Sequence, residues 1–315
     1  MKLIFFGSSD FSLPPLEACL ESGIETALVV TTPDQKKGRG LEPLSNSVRQ
    51  FCTQRSLPCE AFESLKNPPA LELVKILKPD IFVVASYGKM IPAAWLAVPP
   101  QRLNIHPSLL PKYRGAAPLN WPILDGQKET GLSIAEITSQ LDSGDIFYQE
   151  KMPLDSRMDS AQLSRELSRR AAQALRGLLG ELRKGKPLKR TAQAEGLASY
   201  ARKLVKEDGR LSWQEDAQIW DRKIRGLRPW PGAYVLFEKE PLAILEAEPL
   251  NADAPAKPGA LLAVEKDGAI QVQAGKGILR IRQVKPAGRK AMSAADFVRG
   301  RRLETGFDFV AAGAF

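Results

Sequence analysis

Across the first 150 residues of this chain, short apolar runs alternate with helical patterns, and no other feature constrains the fold as much. Residues 3–6 form an unbroken apolar run that stops at Gly7, 14–20 read as a helix, and 27–32 are rich in β-branched side chains. Residues 47–55 and 69–77 are amphipathic, and 80–85 read as a buried strand. That rhythm of strand, helix, strand calls for an α/β fold, a doubly wound Rossmann-like parallel sheet with ligand sites at the C-terminal ends of its strands. Runs at 103–106 and 132–137 would add further strands. The dinucleotide fingerprint is missing: Gly7 is followed by Ser8, Ser9, Asp10, Phe11 and Ser12 where G-x-G-x-x-G needs more glycines, which disfavours an NAD enzyme.

Beyond the sheet, residues 161–182 carry apolar side chains at near-helical spacing (Leu163, Leu167, Ala171, Ala174, Leu175, Leu178, Leu182) and predict one long helix that closes an N-terminal domain, 1–182. The stretch 183–208 turns basic and loses its period, as a linker does. A C-terminal domain, 209–315, then follows. It has a helix at 215–227, short strands at 234–237, 242–247, 259–264, 270–273 and 279–284, turns at Asp267-Gly268 and Gly275-Lys276-Gly277, and a last helix at 293–300. Five short strands in so small a domain suggest an OB-like β-barrel, a fold that often binds nucleic acid.

Composition narrows the chemistry. The chain has 45 Lys and Arg but a single histidine, His106, so zinc fingers, H-E-x-x-H peptidases and histidine-rich metal sites are not expected. No metal is expected, and any acid–base histidine must be His106. Cys19, Cys52 and Cys59 form no C-x-x-C pair and suit reduced thiols in a cytoplasmic protein. No apolar run approaches the roughly 20 residues of a membrane span. The net charge of +9 is uneven: residues 181–210 hold 9 basic and 4 acidic side chains, whereas 1–180 hold 20 and 19. A basic band at the domain join attracts a polyanion, although a solvated surface explains it equally well.

The most informative text is L-N-I-H-P-S-L-L-P-K-Y-R-G from Leu103 to Gly115, followed by L-D-S-G-D from Leu141. Side chains alternate along a strand, so Asn104 and His106 share a face, an amide donor beside an imidazole. Asp142 adds a carboxylate at the mouth of the same sheet. Such a group can stabilise an oxyanion and move protons. These stretches resemble the folate-dependent formyltransferase family. So do F-F-G-S-S-D-F-S-L-P-P-L-E-A from Phe5, G-R-G-L from Gly38, S-Y-G-K-M-I-P from Ser86, A-S-Y-A-R-K-L-V-K-E-D-G-R-L-S-W from Ala198 and I-R-G-L-R-P-W-P-G-A from Ile224. Ser143 stands where the family commonly has threonine, and Lys112 where it has arginine; both keep the chemistry.

The resemblance implies transfer of a formyl group from 10-formyltetrahydrofolate to the amine of methionyl-initiator tRNA, with Asn104, His106 and Asp142 as the catalytic residues. Asn104 and His106 would serve the oxyanion, and Asp142 would hold His106 and relay the proton. It further implies a folate site made by Lys89, Met90 and Ile91, by Ser108, Leu109, Leu110 and Pro111, and by Leu141. Lys36, Lys37 and Arg39, in a long loop at 33–47, would meet the acceptor arm, and Lys203, Lys206 and Arg210 would meet phosphates. The basic set Lys276, Arg280, Arg282, Lys285, Arg289 and Lys290 would do the same without reading bases. Two alternatives stay open: a formyltransferase of the same family acting on a small amine such as a nucleotide-linked amino sugar, and a non-catalytic nucleic-acid-binding protein built on the barrel. The oligomeric default is a monomer.

Overall fold

The computed structural model describes residues 1–37, 42–250, 252 and 254–314, and for 35–37, 42–44 and 314 the backbone alone. Arg39 lies outside the described residues. The chain forms two compact units. The first is Met1–Pro118 with Glu129–Pro153 and Gln162–Arg202; the second is Leu119–Lys128 with Leu154–Ala161 and Lys203–Phe315. The stretch 183–208 is therefore divided, up to Arg202 in the first unit and from Lys203 in the second.

The N-terminal half runs β1 (Lys2–Gly7), α1 (Leu13–Glu21), β2 (Glu25–Thr31), β3 (Gln35–Lys37), β4 (Glu42–Leu44), α2 (Ser47–Gln54), β5 (Cys59–Ala61) and α3 (Pro68–Leu77). There follow β6 (Ile81–Ala85), α4 (Ala93–Leu96), β7 (Gln101–His106), β8 (Arg114–Gly115), α5 (Trp121–Leu124), β9 (Glu129–Glu136), β10 (Ile146–Pro153), α6 (Ser160–Arg183) and β11 (Tyr200–Ala201). The main sheet has the order β10-β9-β7-β6-β1-β2-β5. From β7 to β5 the strands are parallel. Leu3, Ile4, Phe5 and Phe6 of β1 are all 0% exposed, which is why this central strand reads as a continuous apolar run rather than an alternation. Phe6 meets Phe82, Tyr87 and Trp95 edge-on, with centroids 5.0, 5.5 and 5.9 Å away. Each such buried ring contributes about 1.5–3 kcal/mol by leaving water.

Two features depart from the sequence reading. The sheet is mixed, because β9 runs antiparallel to β7 and β10 antiparallel to β9. The β9–β10 connection is too short for a crossover helix, so these strands can pair only in opposite directions. The loop at 33–47 is not wholly irregular: β3 and β4 pair antiparallel within it, Lys36 opposite Pro43 and Lys37 opposite Glu42.

Strand order reverses at β1, where β2 and β5 lie to one side and β6 and β7 to the other. The crevice above such a reversal is where open α/β sheets bind ligands. In the second unit, α7 (Ala217–Gly226) precedes β12 (Tyr234–Phe237), β13 (Glu240–Leu250), β14 (Leu261–Val264), β15 (Ile270–Gln273), β16 (Ile278–Pro286) and β17 (Met292–Ser293). The chain ends with α8 (Ala294–Gly300) and α9 (Phe309–Ala314). The strands form an OB-like antiparallel sheet in the order β12-β13-β16-β15-β14, with β17 on β16, over a core that includes Trp220, Leu261, Val272 and Leu279. Among the described residues no helix is long and apolar enough to cross a membrane.

Candidate active site

β7 carries Asn104 and His106 two residues apart on one face, and the loop after β9 brings Asp142 to both. The Asn104 amide donates to Asp142 Oδ1 (2.9 Å), and the Gly115 backbone N–H donates to Oδ2 (2.8 Å). His106 Nδ1 lies 3.6 Å from the same Oδ2, with side-chain exposures of 5% and 8% for the pair. On its far side His106 Nε2 is 2.9 Å from the Tyr113 carbonyl oxygen. A carbonyl can only accept, so Nε2 carries a hydrogen, and Nδ1 is the nitrogen that faces Asp142. The Tyr113 carbonyl fixes the ring from its far side, and the nitrogen left for chemistry is Nδ1. Gly115 must be glycine here. Its φ is +116°, and a Cβ would sit 2.8 Å from the Ala201 carbonyl oxygen.

Beside this cluster a cavity of about 100 Å³ is lined by Lys89, Met90, Ile91, Asn104, Leu141 and Asp142 together with Val84, Glu136, Ile137, Thr138 and Gln140. Met90 is 66% exposed and Leu141 49%, two large apolar side chains at the rim. Lys89 directs Nζ away, to the carbonyls of Phe62 (3.0 Å) and Glu63 (2.9 Å). Burial raises the Glu136 carboxyl, but hydrogen bonds from Arg102 (2.6 Å) and Arg190 (2.5 Å) outweigh it and hold the group below the usual range. Apolar walls with amide, hydroxyl and carboxylate groups between them suit a flat heterocycle with a polar edge.

Two family models cover most of the chain: formyl transferase over residues 1–178, and formyl transferase, C-terminal domain, over 203–302. The chain belongs to the formyl transferase family. It is similar to the methionyl-tRNA formyltransferases of Syntrophus aciditrophicus (37% identical, covering 97% of this chain and 98% of that protein) and Geobacter metallireducens (36%, 97% and 97%). Its fold is that of the N-formyltransferase from Helicobacter canadensis, whose crystal contains folinic acid and dTDP-3-aminofucose (TM-score 0.68, 16% identity, 90% of this chain and 100% of that one). HypX from Aquifex aeolicus, crystallised with tetrahydrofolic acid, also shares it (TM-score 0.62, 19% identity, 94% of this chain); this chain spans 46% of that longer protein.

Not every residue singled out in the sequence gathers in the cavity of this formyl transferase. Ser108, Leu109, Leu110 and Pro111 do not line it. Instead they build the turn beneath His106. Ser108 donates to the Lys112 carbonyl (2.7 Å), the Leu110 N–H donates to Ser133 Oγ (3.1 Å), and the Pro111 carbonyl accepts from the Ser199 N–H (3.2 Å). Lys36 and Lys37 lie on β3. Lys203, Lys206 and Arg210 are exposed and belong to the second unit. Arg280 and Arg282 are not free to meet phosphates as the sequence suggested. Arg280 pairs with Glu248, Glu265 and Asp267, and Arg282 with Glu248 and Asp267, because the neighbouring strand β13 and the turn after β14 bring acids to them. Lys276, Lys285, Arg289 and Lys290 are exposed and make no ion pair among the described residues.

Sequence reasoning missed two groups that shape the site of this formyl transferase, the Tyr113 carbonyl and the Gln193 side chain. The Arg114 side chain is 0% exposed and bonds Glu195 and Gln193. No periodicity or motif in the sequence marks Gln193.

Proposed function

We propose that this chain transfers the formyl group of 10-formyltetrahydrofolate to the amine of methionine carried on initiator tRNA. The observation that carries the reading is the Asn104, His106 and Asp142 cluster beside the apolar-walled cavity. End-to-end similarity to proteins named methionyl-tRNA formyltransferase supplies the acceptor. The donor folate would lie against Met90, Ile91 and Leu141, with its polar edge towards Thr138, Gln140 and Glu136, and it supplies the formyl carbon.

Attack by a neutral amine on that carbon puts negative charge on the formyl oxygen and positive charge on the amine. Asn104 uses one Nδ2 hydrogen on Asp142 and keeps the other for the oxygen. His106 Nδ1 takes the proton of the amine, and the resulting imidazolium faces the Asp142 carboxylate. Asp142, held by Asn104 and Gly115, would stabilise that imidazolium until His106, directly or through water, gives the proton to the donor nitrogen; the oxyanion then collapses, the carbon–nitrogen bond to the donor breaks and the formyl group stays on the acceptor amine. No covalent enzyme intermediate is needed.

For the acceptor, Lys36, Lys37 and Arg39 would meet the acceptor arm, and Lys203, Lys206 and Arg210, with the unpaired lysines of β16 and its turn, would meet the phosphate backbone. Chemistry belongs to the first unit and non-specific RNA affinity to the second. The enzyme would act as a cytoplasmic monomer. The decisive assay gives purified protein 10-formyltetrahydrofolate with charged initiator tRNA or with free methionine. Rapid formylation of the charged tRNA alone is expected. Equal rates on both acceptors, or transfer to an amino sugar nucleotide only, would overturn the reading.

A further inference from the structure

We propose that Gln193, locked by Arg114, is a positioning residue for Asp142: it sets the backbone that aims the carboxylate at His106. The inference rests on the reading of Asp142 given above. Gln193 Oε1 accepts from Arg114 Nε (3.2 Å) and Nη2 (2.7 Å), and its Nε2 donates to the carbonyls of Asp142 (2.9 Å) and Gly144 (2.7 Å). An amide has two donor hydrogens and one acceptor oxygen with two lone pairs, and all are used. The orientation is therefore unique. Flipping the amide would turn its hydrogens against a guanidinium, which has no acceptor.

The guanidinium is held in its turn. Glu195 accepts from Nη1 (3.0 Å) and Nη2 (2.6 Å), and β8 and β11 pair so that Arg114 and Tyr200 are opposite. Asp142 needs an external hold because its φ is +51°, a left-handed conformation that a side chain bearing Cβ adopts reluctantly. Backbone ties hold the ends of the loop, where the Glu136 N–H donates to the Asp145 carbonyl (2.8 Å) and Thr191 and Ile146 exchange backbone bonds (2.8 and 3.0 Å), while Asn104 and Gly115 reach only the side chain of Asp142. Among the described residues, only Gln193 bonds the backbone of Asp142 itself from outside the loop. Gly144 permits this packing, since a Cβ there would lie 2.1 Å from the Glu136 carbonyl oxygen.

The test uses Gln193→Ala and Gln193→Glu in the full chain, each also made in an Asp142→Asn background. Gln193→Glu keeps a partner for Arg114 and so preserves the fold while removing both donors to the loop. In the native background both variants should lower kcat by about 10- to 100-fold, the scale of a misplaced catalytic group, with KM for either substrate changed less than about threefold. In the Asp142→Asn background they should lower kcat no further, because the group they position is already gone. His106 is the only histidine. Its ring-proton titration is therefore a clean second readout: Gln193→Ala should move the midpoint in the same direction as Asp142→Asn. The same loss in both backgrounds, kcat within threefold of native, or an unmoved histidine midpoint would each overturn the proposal. Absence of formyl transfer by the native protein would instead defeat the functional reading, and the histidine titration would still judge the clamp.

Discussion

Asp142→Asn keeps the shape of the side chain and removes its charge, and the contacts around the carboxylate set the cost. The substituted side chain has one oxygen where the carboxylate had two, yet both carboxylate oxygens face donors, Asn104 Nδ2 and the Gly115 N–H. Gly115 cannot adjust, because its N–H belongs to the backbone. The introduced amide must therefore give its oxygen to Gly115 and its NH2 to Asn104, whose own amide has to flip and turn its donor away. Stability should change by no more than about 1–1.5 kcal/mol, the net worth of one hydrogen bond. Turnover is another matter. Charge attraction between a carboxylate and an imidazolium at roughly 4 Å is about 4 kcal/mol at an effective dielectric near 20, and neither group is exposed enough for water to screen it. At about 1.36 kcal/mol per decade this is a loss of roughly 1000-fold in kcat. Single-turnover formylation of charged initiator tRNA, run as a double-mutant cycle with Asn104→Ala, is the assay. The losses should be strongly non-additive, because the introduced amide already disables Asn104. Retention of kcat within about tenfold, or additive losses, would refute this reasoning.

Other outcomes rest on the same kind of geometry. His106→Ala should lower kcat by at least about 100-fold while thermal unfolding stays cooperative, and a folded variant with near-native transfer would remove the imidazole from the mechanism. Neutralising Lys285 and Lys290 should flatten the log–log salt dependence of tRNA binding by about one unit for each phosphate no longer neutralised, whereas Arg280→Gln, already neutralised by three acids, should leave the slope alone and cost stability instead; equal slopes for both would contradict this. The Arg114 guanidinium holds the Glu195 carboxyl below the usual range. A depressed carboxyl contributes stability above its unfolded value and loses it as pH falls through the folded one, so native protein should unfold at a higher temperature than Glu195→Gln near neutrality and the gap should close below the ordinary glutamate pKa of about 4.3. A gap independent of pH would count against the pair. Among the thiols, the hydrogen bond from Cys52 holds Cys59 below its ordinary value and raises Cys52, while burial raises Cys19, so brief alkylation followed by peptide mapping should label Cys59 first.

How much was legible from the chain depends on the distance over which each feature is decided. The strands at 3–6 and 80–85 announce themselves because both faces are covered and nearly every position is apolar. β10 does not, since an edge strand bearing Gln149, Glu150 and Lys151 reads like loop. Asn104 and His106 could be paired on paper because strand alternation is local. Gln193 could not: its partners Arg114 and Asp142 are 79 and 51 residues away. That Arg280 and Arg282 are already paired was hidden for the same reason, as the acids that meet them arrive from β13 and from the turn after β14.

Residue type and short-range period, then, determined the α/β architecture, the OB-like sheet, the uniqueness of His106 and the chemistry available to an amide, an imidazole and a carboxylate. These rest on side-chain hydrophobicity, backbone period and titratable groups, all properties a residue carries wherever it is placed. Tertiary structure alone decided which nitrogen of His106 is free, because that depends on the Tyr113 carbonyl reached through a turn. It also decided which cations remain unpaired and what holds Asp142 in a left-handed backbone. Hydrogen bonds and ion pairs act over about 3 Å, and only folding determines which distant residues come that near.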